Sequence, residues 1–266
     1  MIARALGWIA LLAAAGFAQA QTPNHPLLND TFRVSAGGFY AESNTSARLS
    51  TPNGGAGVDV NFEDTLGLEE RKWVGEFSAY WRISERWRVD IDYVRLNRTA
   101  TRTISQQIDW GDKTFLVGEQ VNSSLTISDT RVSGGYSFFR TPDKELGVGL
   151  GLHMLGYKAS IEGANAGGRS ESVSAPLPVL SLYGQFALTD TWAISMRSDW
   201  LSLEYDKYSG SIRANRIDLV YQPFKHVAFG IGMHSLALKL DVQNDNSKFQ
   251  ARSTLNGPAI FASVSY

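Results

Sequence analysis

The sequence has no cysteine among its 266 residues. Disulfide cross-links, thiolate nucleophiles and metal sites with Cys ligands are therefore excluded. The chain also has no excess of charge of either sign: the formal net charge is −1 and the isoelectric point is about 6.4, so nothing indicates a nucleic-acid partner. After residue 20 there is no long apolar run, and no transmembrane helix is expected. A search for long apolar runs would not detect a transmembrane β-strand, because only every second residue of such a strand faces lipid.

The long apolar segment that is present, Met1 to Ala20, is typical of a secretory signal peptide. Arg4 supplies the positive charge, Ala5 to Phe17 form the apolar region, and Ala18-Gln19-Ala20 matches a cleavage site. A retained membrane anchor is the alternative, but the apolar region is too short to span a bilayer. The mature protein is predicted to begin at Gln21, with residues 21–30 as a short periplasmic segment before the main domain.

Strand-like alternation of apolar and polar residues fills the rest of the chain, from Thr31 to Tyr266. Tight connections at residues 84–87, 141–144, 189–192 and 223–226 suit the periplasmic end of a barrel, and longer polar connections suit its outer end. An even strand count places both chain termini on the same side of the membrane. The ten predicted strands are 32–49, 72–83, 87–108, 113–139, 145–161, 173–188, 192–204, 210–222, 227–242 and 248–266.

This pattern predicts an all-β fold for residues 31–266, a transmembrane antiparallel up-and-down β-barrel of ten strands. Ile260, Val264 and Tyr266 share one face of the last strand, and the sequence ends on this aromatic residue. Such an ending resembles the C-terminal insertion signal of Gram-negative outer-membrane β-barrels. The resemblance implies a location in the outer membrane, with outer-membrane lipid around the barrel, the barrel assembly machinery as a partner during insertion, and both termini in the periplasm. The last strand of a soluble sheet is the alternative.

The two faces of the predicted strands differ in chemistry. One face carries aromatic and aliphatic residues without charge, as expected where a charge would cost roughly 2–4 kcal/mol against lipid at the bilayer midplane. The other face holds five acids and five arginines, which we expect to pair because an unpaired buried charge is costly. These predicted lumen residues are Glu76, Arg82, Arg88, Asp90, Asp92, Arg131, Arg197, Asp199, Arg216 and Asp218.

Four of these residues lie on neighbouring strands, and we expect them to form one cluster. Arg197 and Asp199 are on the seventh strand, Arg216 and Asp218 on the eighth, and the register that decides their pairing stays open. Several glycines point to the same face and would make room for long side chains from across the lumen. They are Gly147, Gly149, Gly151, Gly230 and Gly232.

Two segments depart from regular alternation. Pro176 and Pro178 lie in the sixth strand, where they predict a break or a bulge in the sheet. The first outer connection, Ser43 to Arg71, is the longest and contains an acidic and apolar stretch from Val58 to Glu70. We expect its acids to be solvated, and its apolar residues either to extend the rim or to fold inward as a cap.

Catalytic patterns of known outer-membrane enzymes are absent from the sequence. None of the four histidines occurs in a His-x-Ser or Asp-x-His pattern. Asp90 and Asp92 form a pair on one face, but they follow a predicted periplasmic turn and are more simply explained by ion pairs with arginine. We therefore predict no enzymatic activity, no metal site and no cofactor.

Three short segments, Phe62 to Leu68, Tyr136 to Phe139 and Leu150 to His153, resemble a widespread proteobacterial family of uncharacterised outer-membrane β-barrel proteins. The resemblance implies location and fold and indicates no activity or external ligand. The sequence therefore predicts an integral outer-membrane protein, non-enzymatic, structural or surface-interacting, with a salt-bridged and largely plugged lumen. A narrow porin-like channel for small solutes is the alternative, and an enzyme acting on lipid or peptide at the outer face is a third hypothesis.

Overall fold

A computed structural model describes residues 25–50, 58–205, 208–244 and 247–266. The predicted signal peptide, Met1 to Ala20, and the predicted new N-terminus at Gln21 lie outside the described residues. The helix α1 spans Pro26–Asn29. Within the described ranges, no helix is long and apolar enough to cross a membrane.

The described chain is built almost entirely of antiparallel strands that pair in sequence order. Ten of them form the wall of a barrel, and three short ones belong to connections. The wall strands are β1 (Phe32–Ser50), β3 (Arg71–Arg82), β4 (Trp87–Thr103), β7 (Gln120–Arg140), β8 (Lys144–Gly163), β9 (Gly167–Ala187), β10 (Trp192–Tyr205), β11 (Tyr208–Tyr221), β12 (Val227–Asn244) and β13 (Ser247–Ser265). The short strands are β2 (Val60–Asn61), β5 (Ile108–Trp110) and β6 (Lys113–Phe115).

The first and last strands close the barrel. β1 pairs with β13 over nearly its whole length, from Arg33 opposite Ser265 to Ser50 opposite Lys248. Phe32 and Tyr266 exchange backbone hydrogen bonds of 2.9 and 2.8 Å at the chain ends. The predicted fold class, a ten-stranded antiparallel up-and-down barrel, is confirmed.

Four tight turns, residues 25–31 and the C-terminal Tyr266 lie at one end of the barrel, which we call the terminal end; the other is the loop end. The predicted turns at 84–87 and 189–192 have the same construction. The side chains of Ser84 and Thr189 accept hydrogen bonds from the backbone N–H of Trp87 and Trp192, at 3.3 and 3.0 Å. The tight turns between β7 and β8 and between β11 and β12 complete this end.

An uncharged apolar band surrounds the terminal half of the barrel. On β3 it runs from Trp81 to Trp73, which are 52% and 57% exposed. At about 3.4 Å per residue and a tilt near 40°, this length covers roughly 20 Å of membrane thickness, close to the apolar band of outer-membrane barrels. Aromatic residues mark both edges: Trp87, Tyr136, Trp192 and Tyr221 toward the terminal end, and Tyr40, Trp73, Tyr93 and Trp200 on the other.

Beyond this band the strands continue toward the loop end with reversed polarity. On β4, the outward Arg95 and Asn97 are exposed, whereas the inward Leu96 is 1% exposed. On β12, the outward Lys239 is exposed, while Leu238 and Leu240 are both 6% exposed. The loop half therefore has a polar exterior and an apolar core, as a water-soluble barrel would.

Three predicted features of the wall need correction. The third and fourth wall strands are shorter than predicted, because residues 104–119 leave the wall and form the β5–β6 hairpin. The first connection begins after Ser50, since Ser43 to Ser50 continue β1. Pro176 and Pro178 do not interrupt β9, whose pairing with β8 runs through both; instead the pairing of β9 with β10 ends at Leu180. The prolines thus lie where one side of β9 is unpaired, a position that tolerates them.

Candidate functional site

The barrel interior is the candidate functional site, and at the terminal end the N-terminal segment lies across it. Leu27 and Leu28 of α1 are 4% and 0% exposed. Arg140 donates a 2.7 Å hydrogen bond to the carbonyl of Leu28, and Arg33 forms a buried ion pair with Asp30. Residues 25–30 of the segment predicted as a short periplasmic extension therefore pack against the mouth of the barrel.

The next layer contains two separate arginine–carboxylate pairs. Arg82 binds Glu145 through both guanidinium nitrogens, at 3.1 and 2.6 Å, which is a strong bidentate geometry. Arg88 bonds Asp90 at 3.1 Å and lies 3.6 Å from the ring centroid of Tyr183. These pairs keep both arginines neutralised inside the wall.

The central layer is organised by Asp92, which reaches three arginines. Its carboxylate lies 3.1 Å from Arg131, 2.7 Å from Arg197 and 3.1 Å from Arg216. These arginines come from β7, β10 and β11, whereas Asp92 belongs to β4. Asp92 therefore connects opposite sides of the barrel across the lumen.

A second carboxylate shares two of these arginines. Asp199 lies 2.9 Å from Nε of Arg131 and 3.1 Å from Nε of Arg197, and it accepts a hydrogen bond from Ser181. His153 extends the network, with Nδ1 2.8 Å from Asp129 and Nε2 3.8 Å from Asp199. Asp199 is completely buried, so its charge depends on these partners.

The third part of the central network is centred on His234. Its ring nitrogens lie 2.8 Å from Glu76 and 2.8 Å from Asp218. Glu76 also lies 3.0 Å from Arg216, which joins this part to Asp92. The ring thus bridges two carboxylates from β3 and β11.

All ten predicted lumen residues form ion pairs, but they do not form a single cluster. Seven belong to the central network, while Arg88–Asp90 and Arg82–Glu145 stand apart. Arg197 and Arg216 are direct cross-strand partners, and both turn to Asp92 on the opposite wall. The four-residue cluster predicted on β10 and β11 was therefore incomplete, since its central acid comes from β4.

Sequence reasoning missed four members of these networks. Glu145 and the inward glycines of β8 all have odd residue numbers and therefore share a face, and the same holds for Asp129 and Arg131 on β7. Both acids could therefore have been assigned to the lumen from the sequence. His153 and His234 were not among the predicted lumen residues that form ion pairs. Within the described ranges, no group of three or more His, Asp or Glu side chains is placed to hold a metal ion.

Three of the five glycines predicted to make room in the lumen, Gly147, Gly230 and Gly232, leave space for larger side chains, whereas Gly149 and Gly151 face backbone, serine and valine. A Cβ added to Gly147 would lie 2.1 Å from the ring of Tyr183, and one added to Gly230 would lie 2.1 Å from the ring of Phe261. A Cβ at Gly232 would lie 2.1 Å from the carboxylate of Asp218. These glycines therefore permit the packing of the terminal half.

A cavity of about 110 Å³ lies between α1 and the central network. Leu27 lines it on the terminal side, and Asp92, Arg197 and Arg216 line it on the other. Its lining holds four arginines and four acids, so it carries no net formal charge. A polar space of this size holds a few water molecules.

Above the central network, the loop half is filled by an apolar core that the sequence reasoning did not predict. Phe62, Leu66 and Leu68 of the first connection are 0–3% exposed, and so are Trp110 and Phe115 of the β5–β6 hairpin. Trp110 packs edge-to-face with Phe62, with ring centroids 6.1 Å apart. Of the two arrangements proposed for Val58 to Glu70, the structure has the inward cap.

A buried ion pair fixes this cap to the wall. Arg98 of β4 pairs with Glu63 of the cap, and their side chains are 0% and 4% exposed. Arg98 also bonds the carbonyl of Glu69 at 3.0 Å, and Glu63 accepts from the backbone N–H of Thr45 at 2.8 Å. The expectation of solvated acids was therefore wrong for Glu63; Asp59, Asp64, Glu69 and Glu70 are exposed.

Glu119 connects two loops at the rim. Its carboxylate accepts hydrogen bonds from the backbone N–H groups of Asn165, Ala166 and Leu116, at 2.8, 3.2 and 3.2 Å. These donors, that of Asn165 foremost, lower the pKa of Glu119 because they favour the charged carboxylate. The ionised form thus holds the β8–β9 turn against the connection that follows β4.

Two residues of the predicted insertion signal lie on the outer face of β13, and the third, Tyr266, directly follows the strand. Ile260, Val264 and Tyr266 are 55%, 60% and 83% exposed. The ring of Tyr266 stacks on His226, with centroids 5.5 Å apart. Their role in insertion stays a prediction.

The fold is similar to that of solved outer-membrane proteins. The outer membrane protease OmpT from Escherichia coli matches with a TM-score of 0.54 and 10% identity, over 88% of this chain and 96% of that one. The transport unit of the autotransporter AIDA-I from Escherichia coli gives a TM-score of 0.42 and 8% identity, over 96% and 94%. A Pseudomonas aeruginosa FadL homologue gives 0.38 and 9%, over 92% of each chain. No protein-family model and no curated protein matches the sequence. The similarity to OmpT shows a shared barrel fold and carries no statement about proteolysis.

Proposed function

We propose that this protein is an integral outer-membrane barrel with a closed lumen, both termini in the periplasm and a projecting outer half that meets the cell's surroundings. The observation that carries the proposal is the reversal of polarity along the wall. An apolar band suited to lipid surrounds the charged half of the lumen, whereas the loop half is polar outside and apolar inside. Such a molecule is built to stand in a membrane and to project from it.

Closure of the lumen favours a structural or surface-interacting role over a porin-like channel. Conduction would require solutes to pass the apolar core around Trp110, the charged network around Asp92 and the α1 segment in turn. Trp110 is 0% exposed, and Leu28 is 0% exposed at the other mouth. Opening such a path would leave paired charges uncompensated, which is costly in a narrow interior.

The interior acids and histidines are also poorly placed for catalysis. The Asp129–His153 pair resembles a general-base arrangement in its 2.8 Å contact. His153, however, is 2% exposed, and the apolar core separates it from the loop end. A substrate at the outer face would not reach it, so we assign the pair to the network that closes the lumen.

Conductance in planar lipid bilayers tests the closed lumen. We expect the wild-type protein to insert without stable conductance. A matched variant with Trp110→Gly, Arg98→Ala and Asp92→Ala opens the cap and the network, and it should show conductance events. A large, stable conductance of the wild type would refute closure and support the narrow channel.

Single-cysteine labelling tests the topology. Because the sequence has no cysteine, each introduced cysteine is the only thiol that can react. Val117 at the loop end and Phe224 at the terminal end are 64% and 62% exposed. On intact cells, a membrane-impermeant maleimide should label Val117→Cys and not Phe224→Cys. After lysis both should react, and the reverse result on intact cells would invert the orientation.

A further inference from the structure

A group of basic residues lies on the outer wall just beyond the apolar band, on β11, β12 and β13. Lys239 and Arg252 are direct cross-strand partners, and both side chains are exposed. Ser211 is the partner of Lys239 on its other side, so Arg213 lies two residues along the neighbouring strand and is also exposed. Side chains in such diagonal positions are about 7–8 Å apart, within reach of one ligand.

These three cations differ from several other basic residues of the projecting wall, which are paired. Arg48 pairs with Asp59, Arg71 with Glu42, and Lys248 with Asp241, at 3.3–3.5 Å. By contrast, Arg213, Lys239 and Arg252 form no ion pair with any side chain that the structure describes. Two like charges placed directly opposite each other repel, so this pair of strands carries an unfavourable arrangement that an anion would relieve.

The group also has a defined height relative to the membrane. Arg213 is the cross-strand partner of Trp200, an aromatic residue at the outer edge of the apolar band and 42% exposed. Lys239 and Arg252 lie one step farther from the band, at the level where lipid headgroups begin. The hydroxyl side chains of Thr254, which is exposed, and of Ser211 and Ser46, which are half-buried, flank them and suit hydrogen bonds to a saccharide.

We propose that Arg213, Lys239 and Arg252 bind the phosphates of an outer-leaflet glycolipid, with its acyl chains against the apolar band below. The proposal rests on the outer-membrane orientation proposed above. Phosphate is the anion that exposed Lys and Arg at a membrane surface attract, and the neighbouring hydroxyls favour a phosphorylated sugar over a simple phospholipid. The barrel would thereby select the lipid on one side of its wall.

Native mass spectrometry in neutral detergent measures this binding with bisphosphorylated lipid A as the probe. We expect Lys239→Gln with Arg252→Gln to weaken the apparent affinity about thirtyfold. Arg95→Gln with Lys158→Gln is the matched control, because it removes one Arg and one Lys that are exposed, form no ion pair with a described side chain and stand apart on β4 and β8. The control should leave the affinity within about twofold.

Two further arms separate the possible failures. Dephosphorylated lipid A should bind both variants and the wild type equally weakly, and phosphatidylglycerol should not replace lipid A. The glycolipid site would be overturned if the control variant lost as much affinity for lipid A as Lys239→Gln with Arg252→Gln, or if phosphatidylglycerol bound as tightly as lipid A. Insertion into phosphatidylcholine vesicles is measured on the same proteins: wild type that inserts but does not discriminate lipid A refutes only this inference, whereas failure to insert refutes the proposed membrane function as well.

Discussion

Replacing Asp92 with Asn is the most direct perturbation of the central network. The substitution keeps the size of the side chain and removes the charge that Arg131, Arg197 and Arg216 share at 2.7–3.1 Å. Asp199 still serves two of these arginines and Glu76 the third, so some compensation remains. Removing one partner of a buried pair costs about 3–5 kcal/mol, and we expect the lower end of this range because Asp92 also borders the cavity.

The assay is equilibrium unfolding of the mature protein in phosphatidylcholine vesicles, followed by tryptophan fluorescence, with the six tryptophans that follow residue 20 as reporters. Glu42→Gln is the control, since it breaks the outer Arg71–Glu42 pair, whose side chains are 58% and 63% exposed. That change should cost less than about 1 kcal/mol. Adding Arg216→Gln to Asp92→Asn should cost less than the two single changes together, because it removes one of the charges left uncompensated.

A definite result would refute this reasoning. If Asp92→Asn costs no more than Glu42→Gln, the three arginines are hydrated by the cavity and the network does not hold the lumen closed. If the double variant costs the sum of the singles, Asp92 and Arg216 are not coupled.

Other changes test the cap, the rim and the chain end. Arg98→Ala leaves Glu63 buried without its partner, which costs about 3–5 kcal/mol, so added protease should cleave residues 58–70 in vesicle-inserted protein and spare them in wild type. The pKa of Glu119 is lower in the folded than in the unfolded protein, so its carboxylate stabilises the contact between the two rim loops. This stabilisation is complete above the unfolded-state pKa of about 4.3 and is lost as the pH falls through the lower folded-state pKa. In wild type, the protection of the amides of residues 116–119 against hydrogen exchange, relative to their intrinsic exchange rates, should fall in that pH range. Glu119→Gln should remove this change in protection. Deleting Tyr266 should leave unassembled protein in the periplasm, and normal assembly without it would contradict the insertion signal.

The strand count and the tight turns were predictable because their signals are local. A turn such as Ser84 to Trp87 needs a hydroxyl at its start and alternating residues on both sides, and both are visible within a few residues. The continuation of β1 to Ser50 was harder to see, because its outward residues there are polar and resemble a loop. Strand ends in water therefore resist prediction more than strand centres in lipid.

The interior residues were predictable as a set, and their partners were not. Parity along each strand is enough to place Asp92 and Arg197 on the inward face. Their 2.7 Å contact depends on barrel closure, which brings β4 and β10 together across the lumen. No spacing in the sequence encodes that distance, so register and partner choice needed the structure.

The apolar core of the loop half was overlooked because its signal resembles an irregularity. On β12 the apolar residues are odd-numbered up to Met233 and even-numbered from Leu236 onward. A change of parity is usually attributed to a β-bulge, which shifts one strand by a residue. The pairing of β12 with β13 is nevertheless continuous from Val227 to Asn244.

Because the backbone keeps its register, every side chain keeps its face, and what changes at this point is the surroundings. Below Met233 the outer face meets lipid, and above it the outer face meets water, so the apolar residues must exchange sides. The same change occurs after Tyr93 on β4 and after Met154 on β8. A parity change that recurs at one height on several strands therefore marks a membrane boundary, whereas a bulge would shift a single strand. Trp200 and Arg213 lie at the outer edge of the apolar band, next to this boundary, which is the premise that the lipid-binding experiment tests.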